Sequence, residues 1–92
     1  MPVLNATYTL SDTTRTLVMD ADNMVQEVHL HNATKCSNEY VYIGNENMTL
    51  LNSLHLDPGE SKVLHLNPKD KLYAMSDPSG LVLHVLAIQK ND

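Results

Sequence analysis

Three proline-bearing tetrapeptides constrain this chain more than any other feature: Asp57-Pro58-Gly59-Glu60, Asn67-Pro68-Lys69-Asp70 and Asp77-Pro78-Ser79-Gly80. Proline presets φ and cannot donate to a hydrogen-bond ladder, and glycine admits positive φ. Each tetrapeptide therefore ends one extended run and begins another. The runs between them, Lys62–Leu66 and Lys71–Met75, are β-type, and so is Tyr40–Ile43 upstream, which ends at Gly44-Asn45-Glu46-Asn47. The stretch Tyr40–Ser76 is thus three strands separated by turn chemistry, and the rest of the chain must fit around it.

The remaining segments repeat the pattern. In Arg15–Asp20, Leu17 and Met19 share one face, with Thr16 and Val18 on the other. Asp20-Ala21-Asp22-Asn23 reads as a turn. In Met24–Asn32, Val28 and Leu30 face one way, and Glu27, His29 and His31 the other. Tyr40 and Tyr42 oppose Val41 and Ile43, and Leu64 and Leu66 oppose Val63 and His65. Met48–Leu51 and Leu54–Leu56 are short strand candidates. Leu81–Gln89 is the longest apolar run, and its β-branched content marks a central strand, apolar on both faces. The tally is roughly seven or eight short strands with turns every 8–12 residues or so, which predicts an all-β fold: a small antiparallel β-sandwich with jelly-roll wiring. Residues 1–14 are polar and read as a short strand at Ala6–Leu10 or as an arm, leaving 15–92 as a single sandwich domain.

Composition bounds the rest. Ninety-two residues supply one modest core, and with four tyrosines and no phenylalanine or tryptophan it must be built from Leu, Val, Ile, Met and Ala. Such a core leaves little stability to spare, which favours assembly into a homo-oligomer. The net charge of −5 and the lack of a basic run argue against nucleic-acid binding. No apolar run approaches the ~20 residues of a membrane-spanning helix. The N-terminal residues lack the basic and apolar regions of a signal peptide, and the single cysteine, Cys36, excludes an intrachain disulfide. The expectation is a soluble protein made in a reducing cytoplasm.

No catalytic constellation emerges, and the chain is expected to be neither an enzyme nor a cofactor carrier. His29 and His31 leave one strand face about 7 Å apart, a metal-like spacing that resembles the cupin site. The glutamate that such a site needs just after the second histidine is missing: the next one is Glu39, across a polar loop. Asp20–Asn23 opens like a calcium loop, but Val25 stands where glycine is needed and His31 where glutamate is needed. Cys36 has no oxyanion-hole motif beside it. The sequons at Asn5, Asn32 and Asn47 are chance in a sequence rich in Asn and Thr. Interface features are stronger. Tyr8, Tyr40 and Tyr42 combine apolar area with a polar handle, and Val18 and Val25 fall on faces expected to point outward.

One resemblance covers the C-terminal half. Tyr42-Ile43-Gly44, Thr49, Leu56-x-Pro58-Gly59-Glu60-Ser61, the alternating Leu64 and Leu66, Asp70-Lys71-Leu72-Tyr73-Ala74, the turn at Ser79-Gly80 and a closing apolar strand resemble small virion proteins of tailed bacteriophages. The resemblance implies a jelly-roll capsid decoration, or cement, protein. Such a protein binds the major capsid protein on the outer surface of the head and assembles with itself, expected here as a trimer. It also implies that Gly44 and Gly59 serve turns while Leu56, Leu64, Leu66 and Leu72 fill the core. Residues 1–38 carry no part of it. A tail, fibre or head–tail accessory protein, and a small cupin-like metal enzyme or carbohydrate-binding module, are the alternative readings.

Overall fold

The computed structural model describes residues 3–20, 25–34, 36–49 and 53–90, without the side chains of Val3, Leu4, Val25, Gln89 and Lys90. Eight strands and no helix are formed by these residues: β1 (Val3–Thr9), β2 (Thr16–Met19), β3 (Val25–Asn32), β4 (Tyr40–Gly44), β5 (Leu54–Leu56), β6 (Ser61–Leu66), β7 (Leu72–Asp77) and β8 (Val82–Lys90). They form two four-stranded sheets, sheet A in the order β1-β8-β3-β6 and sheet B in the order β2-β7-β4-β5. Every pairing is antiparallel. Consecutive strands alternate between the sheets except at β4–β5, and this is jelly-roll wiring.

Alternation fills the space between the sheets. Val28 and Leu30 of β3, Leu66 of β6, and Leu83, Val85 and Ala87 of β8 meet Val18 and Met19 of β2, Val41 and Ile43 of β4, Leu56 of β5, and Leu72 and Ala74 of β7. No aromatic ring is fully buried in this core, and half-buried Tyr8 closes one side of it. Each fully buried leucine contributes about 1.5–3 kcal/mol. The expected central strand is β8, which pairs with β1 on one side and β3 on the other.

The prolyl turns form as their sequences require. Pro58 and Pro68 are followed by residues with positive φ, Gly59 at 77° and Lys69 at 72°, the pattern of a type II turn. In both turns the acidic fourth residue reaches back to the first: Glu60 Oε1 accepts from Asp57 N at 2.8 Å, and Asp70 Oδ2 from Asn67 N at 2.9 Å. Gly44 serves a different purpose, because a Cβ there would lie 2.7 Å from Cβ of Met48.

One open alternative is decided and two expectations are corrected. Of the strand and the arm, residues 3–9 take the strand, longer than Ala6–Leu10 and in register with β8 from Val3↔Ile88 to Thr9↔Val82, so sheet A includes residues ahead of residue 15. Val18 does not face outward: it is 3% exposed. The register of β2 against β7 shifts between Leu17 and Met19, and this irregularity turns Val18 and Met19 both into the core while Leu17 is exposed. The proposed run Met48–Leu51 is not a strand where described, since Met48 and Thr49 are loop residues, and Leu50 and Leu51 lie outside the described residues. The turn residues Ala21–Asn23 lie outside them too.

Candidate functional site

Two outer sheet faces carry the side chains not used by the core. On sheet A the register aligns three rows across β1, β8, β3 and β6. The first is Thr7, His84, His31 and Ser61; the second is Asn5, Leu86, His29 and Val63; the third ends in Ile88, Glu27 and His65. Leu86 and Val63 stand exposed in the middle row, at 37% and 46%. Four histidines surround them. His29 Nε2 lies 2.9 Å from Glu27 Oε2, and His65 Nε2 lies 3.4 Å from Glu27 Oε1. His31 Nδ1 lies 2.8 Å from Ser61 Oγ, and its ring is edge-on to that of His84 with centroids 6.1 Å apart. A shallow depression of about 270 Å³ runs between His29, His31 and His84.

His29 and His31 thus share a face, as their spacing predicts, but they turn to different partners. Among the described residues, no group of three or more histidine, cysteine or acidic side chains is placed to hold a metal ion. Cys36 is exposed in the loop between β3 and β4, where its N–H donates to Thr34 Oγ1 at 3.3 Å. The sequence reading missed His84, because nothing local announces that it will stand opposite His31. Only the β3–β8 register brings them together.

Sheet B presents an aromatic face. Tyr40 and Tyr42 of β4 are half-buried on its outer side, and both rings contact His55 of β5, with centroids 5.6 and 6.1 Å apart. His55 Nε2 lies 3.2 Å from Asp57 Oδ1. Tyr73 and Leu17 continue the face across β7 and β2, where they are a register pair. Met75 is 6% exposed and Met48 is 3% exposed, and neither belongs to the core between the sheets. Arg15 Nη1 donates to Met48 O at 3.3 Å, fastening the loop after β4 to the segment before β2. A depression of about 620 Å³ is left there between Thr14, Arg15, Thr49 and Tyr73.

The other interface candidates separate. Tyr8 packs against the core and its hydroxyl donates to Val18 O at 3.1 Å, so it ties sheet A to sheet B. Val18 is core, and the side chain of Val25 lies outside the described residues. Tyr40 and Tyr42 remain on an outer face.

What fold and faces define together is a class: a jelly-roll β-sandwich whose distinctive side chains lie on open sheet surfaces. No family model matches the chain, and no curated protein matches it. Among solved structures it is similar to a chain from the work described as "Bacillus endospore appendages form a novel family of disulfide-linked pili", with a TM-score of 0.59 and 7% sequence identity over 98% of this chain and 87% of that one. At that identity the likeness shows a shared β-sandwich fold.

Proposed function

We propose that this chain is a non-enzymatic structural subunit, a capsid decoration protein that binds the outer surface of a bacteriophage head and reinforces contacts between major capsid subunits. The observation that carries the reading is the division of labour within the Tyr40–Ser76 stretch. Leu56, Leu66 and Leu72 are core, Gly59 makes its turn, and Tyr40, Tyr42 and Tyr73 are left half-buried on one outer face. The residues that carry the resemblance to phage virion proteins therefore build a scaffold, and that scaffold presents tyrosines, which are enriched in protein interfaces. Attachment would be multivalent, with each weak contact strengthened when an oligomer bridges several capsid subunits. Purified protein mixed with expanded, undecorated heads should bind saturably and raise their resistance to heat. Absence of saturable binding would defeat the reading.

The likeness to a pilus structure favours a second reading, a subunit of an extended appendage. Electron microscopy of the concentrated protein separates the two, since filaments favour the appendage and discrete particles favour decoration. The cupin-like alternative is decided by metal analysis. Stoichiometric zinc, iron or manganese, lost when His29 and His31 become alanine, would establish it.

A further inference from the structure

We infer that β1 is a self-association edge, pairing antiparallel with β1 of a second copy about a two-fold axis. A sandwich exposes unpaired backbone at its edge strands, and folded proteins blunt these edges with shortness, bulges or charge. Among the described residues there are four edge strands, β1 and β6 in sheet A and β2 and β5 in sheet B. Three of them are blunted. β5 is only three residues long. β2 is four residues long and its register breaks between Leu17 and Met19. β6 carries Lys62 on its inward-facing side, paired with Leu30 of β3.

β1 has none of these devices. It runs for seven residues, Val3-Leu4-Asn5-Ala6-Thr7-Tyr8-Thr9, with no charge, no proline and no break in its register with β8. Its outer side presents exposed Asn5, Thr7 and Thr9, and on its inner side Ala6 and Tyr8 are only half-buried, so the core is left partly open along this edge.

The occupant that fits is another copy of the same strand. The chain carries a net charge of −5, so two copies meet at the lowest electrostatic cost along an uncharged strip, and β1 is a long uncharged strip at an edge. A two-fold axis at Ala6 sets Asn5 opposite Thr7 of the second copy and brings two half-buried Tyr8 residues to the ends of one seam. Because β1 is antiparallel to β8, the product is one continuous antiparallel sheet, β6-β3-β8-β1 running into its own mirror order. This pairing is independent of the decoration reading. It holds whatever the assembled protein attaches to, and losing it leaves the two outer faces intact.

Analytical ultracentrifugation of the full chain tests it. The wild-type protein should pass from one chain to two as concentration rises. Asn5→Lys with Thr7→Lys should abolish the doubling, and so should Asn5→Glu with Thr7→Glu. Mixing the lysine and glutamate variants should restore a dimer, because each lysine then faces a glutamate across the seam, an outcome that mere damage to the fold would not give. Ser61→Lys, on the outer side of β6, should leave the dimer unchanged. If the double variants unfold by circular dichroism, the single variants Asn5→Glu and Thr7→Lys keep the test. Each alone places one charge against an uncharged residue, and mixing the two sets the new glutamate opposite the new lysine and should favour the mixed dimer. A wild-type monomer at every concentration, a higher oligomer indifferent to these charges, or failure of the mixture to pair would overturn the inference.

Discussion

The side-chain amide of Asn32 donates to the backbone carbonyl of Leu56 at 3.1 Å, joining the end of β3 in one sheet to the end of β5 in the other. The same Nδ2 lies 3.1 Å from Glu39 O and 3.2 Å from Asp57 O, so its two hydrogens serve three carbonyls. Oδ1 accepts from Thr34 N at 3.2 Å, and the Asn32 backbone bonds both Glu60 and Gly59. The side chain is fully buried. A residue that looks from sequence like part of a sequon is the polar clasp of the sandwich, with no room for a glycan.

Replacing that clasp should be costly. Asn32→Ala strands buried carbonyls at the junction of β3, β4 and β5, and each such loss costs about 1–3 kcal/mol. Asn32→Asp should be worse, because a carboxylate oxygen would replace the donor and face the same carbonyls. Urea denaturation should place both variants well below wild type, with the aspartate lower. Equal midpoints for wild type and Asn32→Ala would show that the clasp is not stabilising.

Tyr8 offers a gentler version of the same test. Its hydroxyl bonds Val18 O across the sheets while its ring packs against the core edge. Tyr8→Phe keeps the ring and removes one part-buried hydrogen bond, for about 1 kcal/mol. Tyr8→Ala also removes the ring and should cost about 3 kcal/mol or more. Thermal melts of the two variants should therefore be well separated. A Tyr8→Phe loss as large as that of Tyr8→Ala would mean that the bond, not the packing, holds β1 to β2.

Much of this architecture was legible because it depends on local chemistry. The prolyl turns, the alternation in β3, β4 and β6 and the apolar length of β8 are written within a few residues of where they act. The features that local sequence does not decide mostly depend on partners distant in sequence. β1 resembles an arm because its polar residues alternate weakly, and only its pairing with β8, at the other end of the chain, makes it a strand. Strict period two sends Val18 outward, and the register shift in β2 breaks that period. The Asn32 clasp and the His31–His84 pair were invisible for the same reason, since each is assembled from strands separated by dozens of residues. Alternation alone puts Tyr40 and Tyr42 on the face opposite Val41 and Ile43, and the burial along β4 follows it.

The twin turns allow a stabilising change. Gly59 and Lys69 occupy the same position after proline with nearly the same φ, 77° and 72°, but only one of them is glycine. A side chain at such φ costs about 1–2 kcal/mol, part of which is returned by the greater freedom of glycine in the unfolded chain. Lys69→Gly should thus raise stability by about 0.5–1 kcal/mol. Gly59→Ala, the reverse change in the sister turn, should lower it. Both are read from the shift in denaturant midpoint at constant slope, and a loss of stability in Lys69→Gly would show that the lysine is held there by something other than turn geometry.

The last prediction concerns attachment. Tyr40, Tyr42 and His55 form a contiguous cluster on sheet B, and Leu86 and Val63 form the exposed apolar centre of sheet A. Both faces are open, but the tyrosines give a partner rigid apolar area with hydroxyls at its edge, and such residues dominate binding energy when an interface covers them. If the protein decorates a capsid through sheet B, Tyr40→Ala and Tyr42→Ala should each weaken binding to expanded heads by about tenfold or more, equivalent to about 1.4 kcal/mol per decade. Leu86→Ser and Val63→Ser, on the opposite face, should leave binding within about twofold, since surface changes away from an interface are near neutral. Assays run well below the melting temperature of each variant separate lost contact from lost fold. The reverse pattern, with the sheet A changes weakening attachment and the tyrosine changes silent, would move the capsid contact to the histidine-rimmed face.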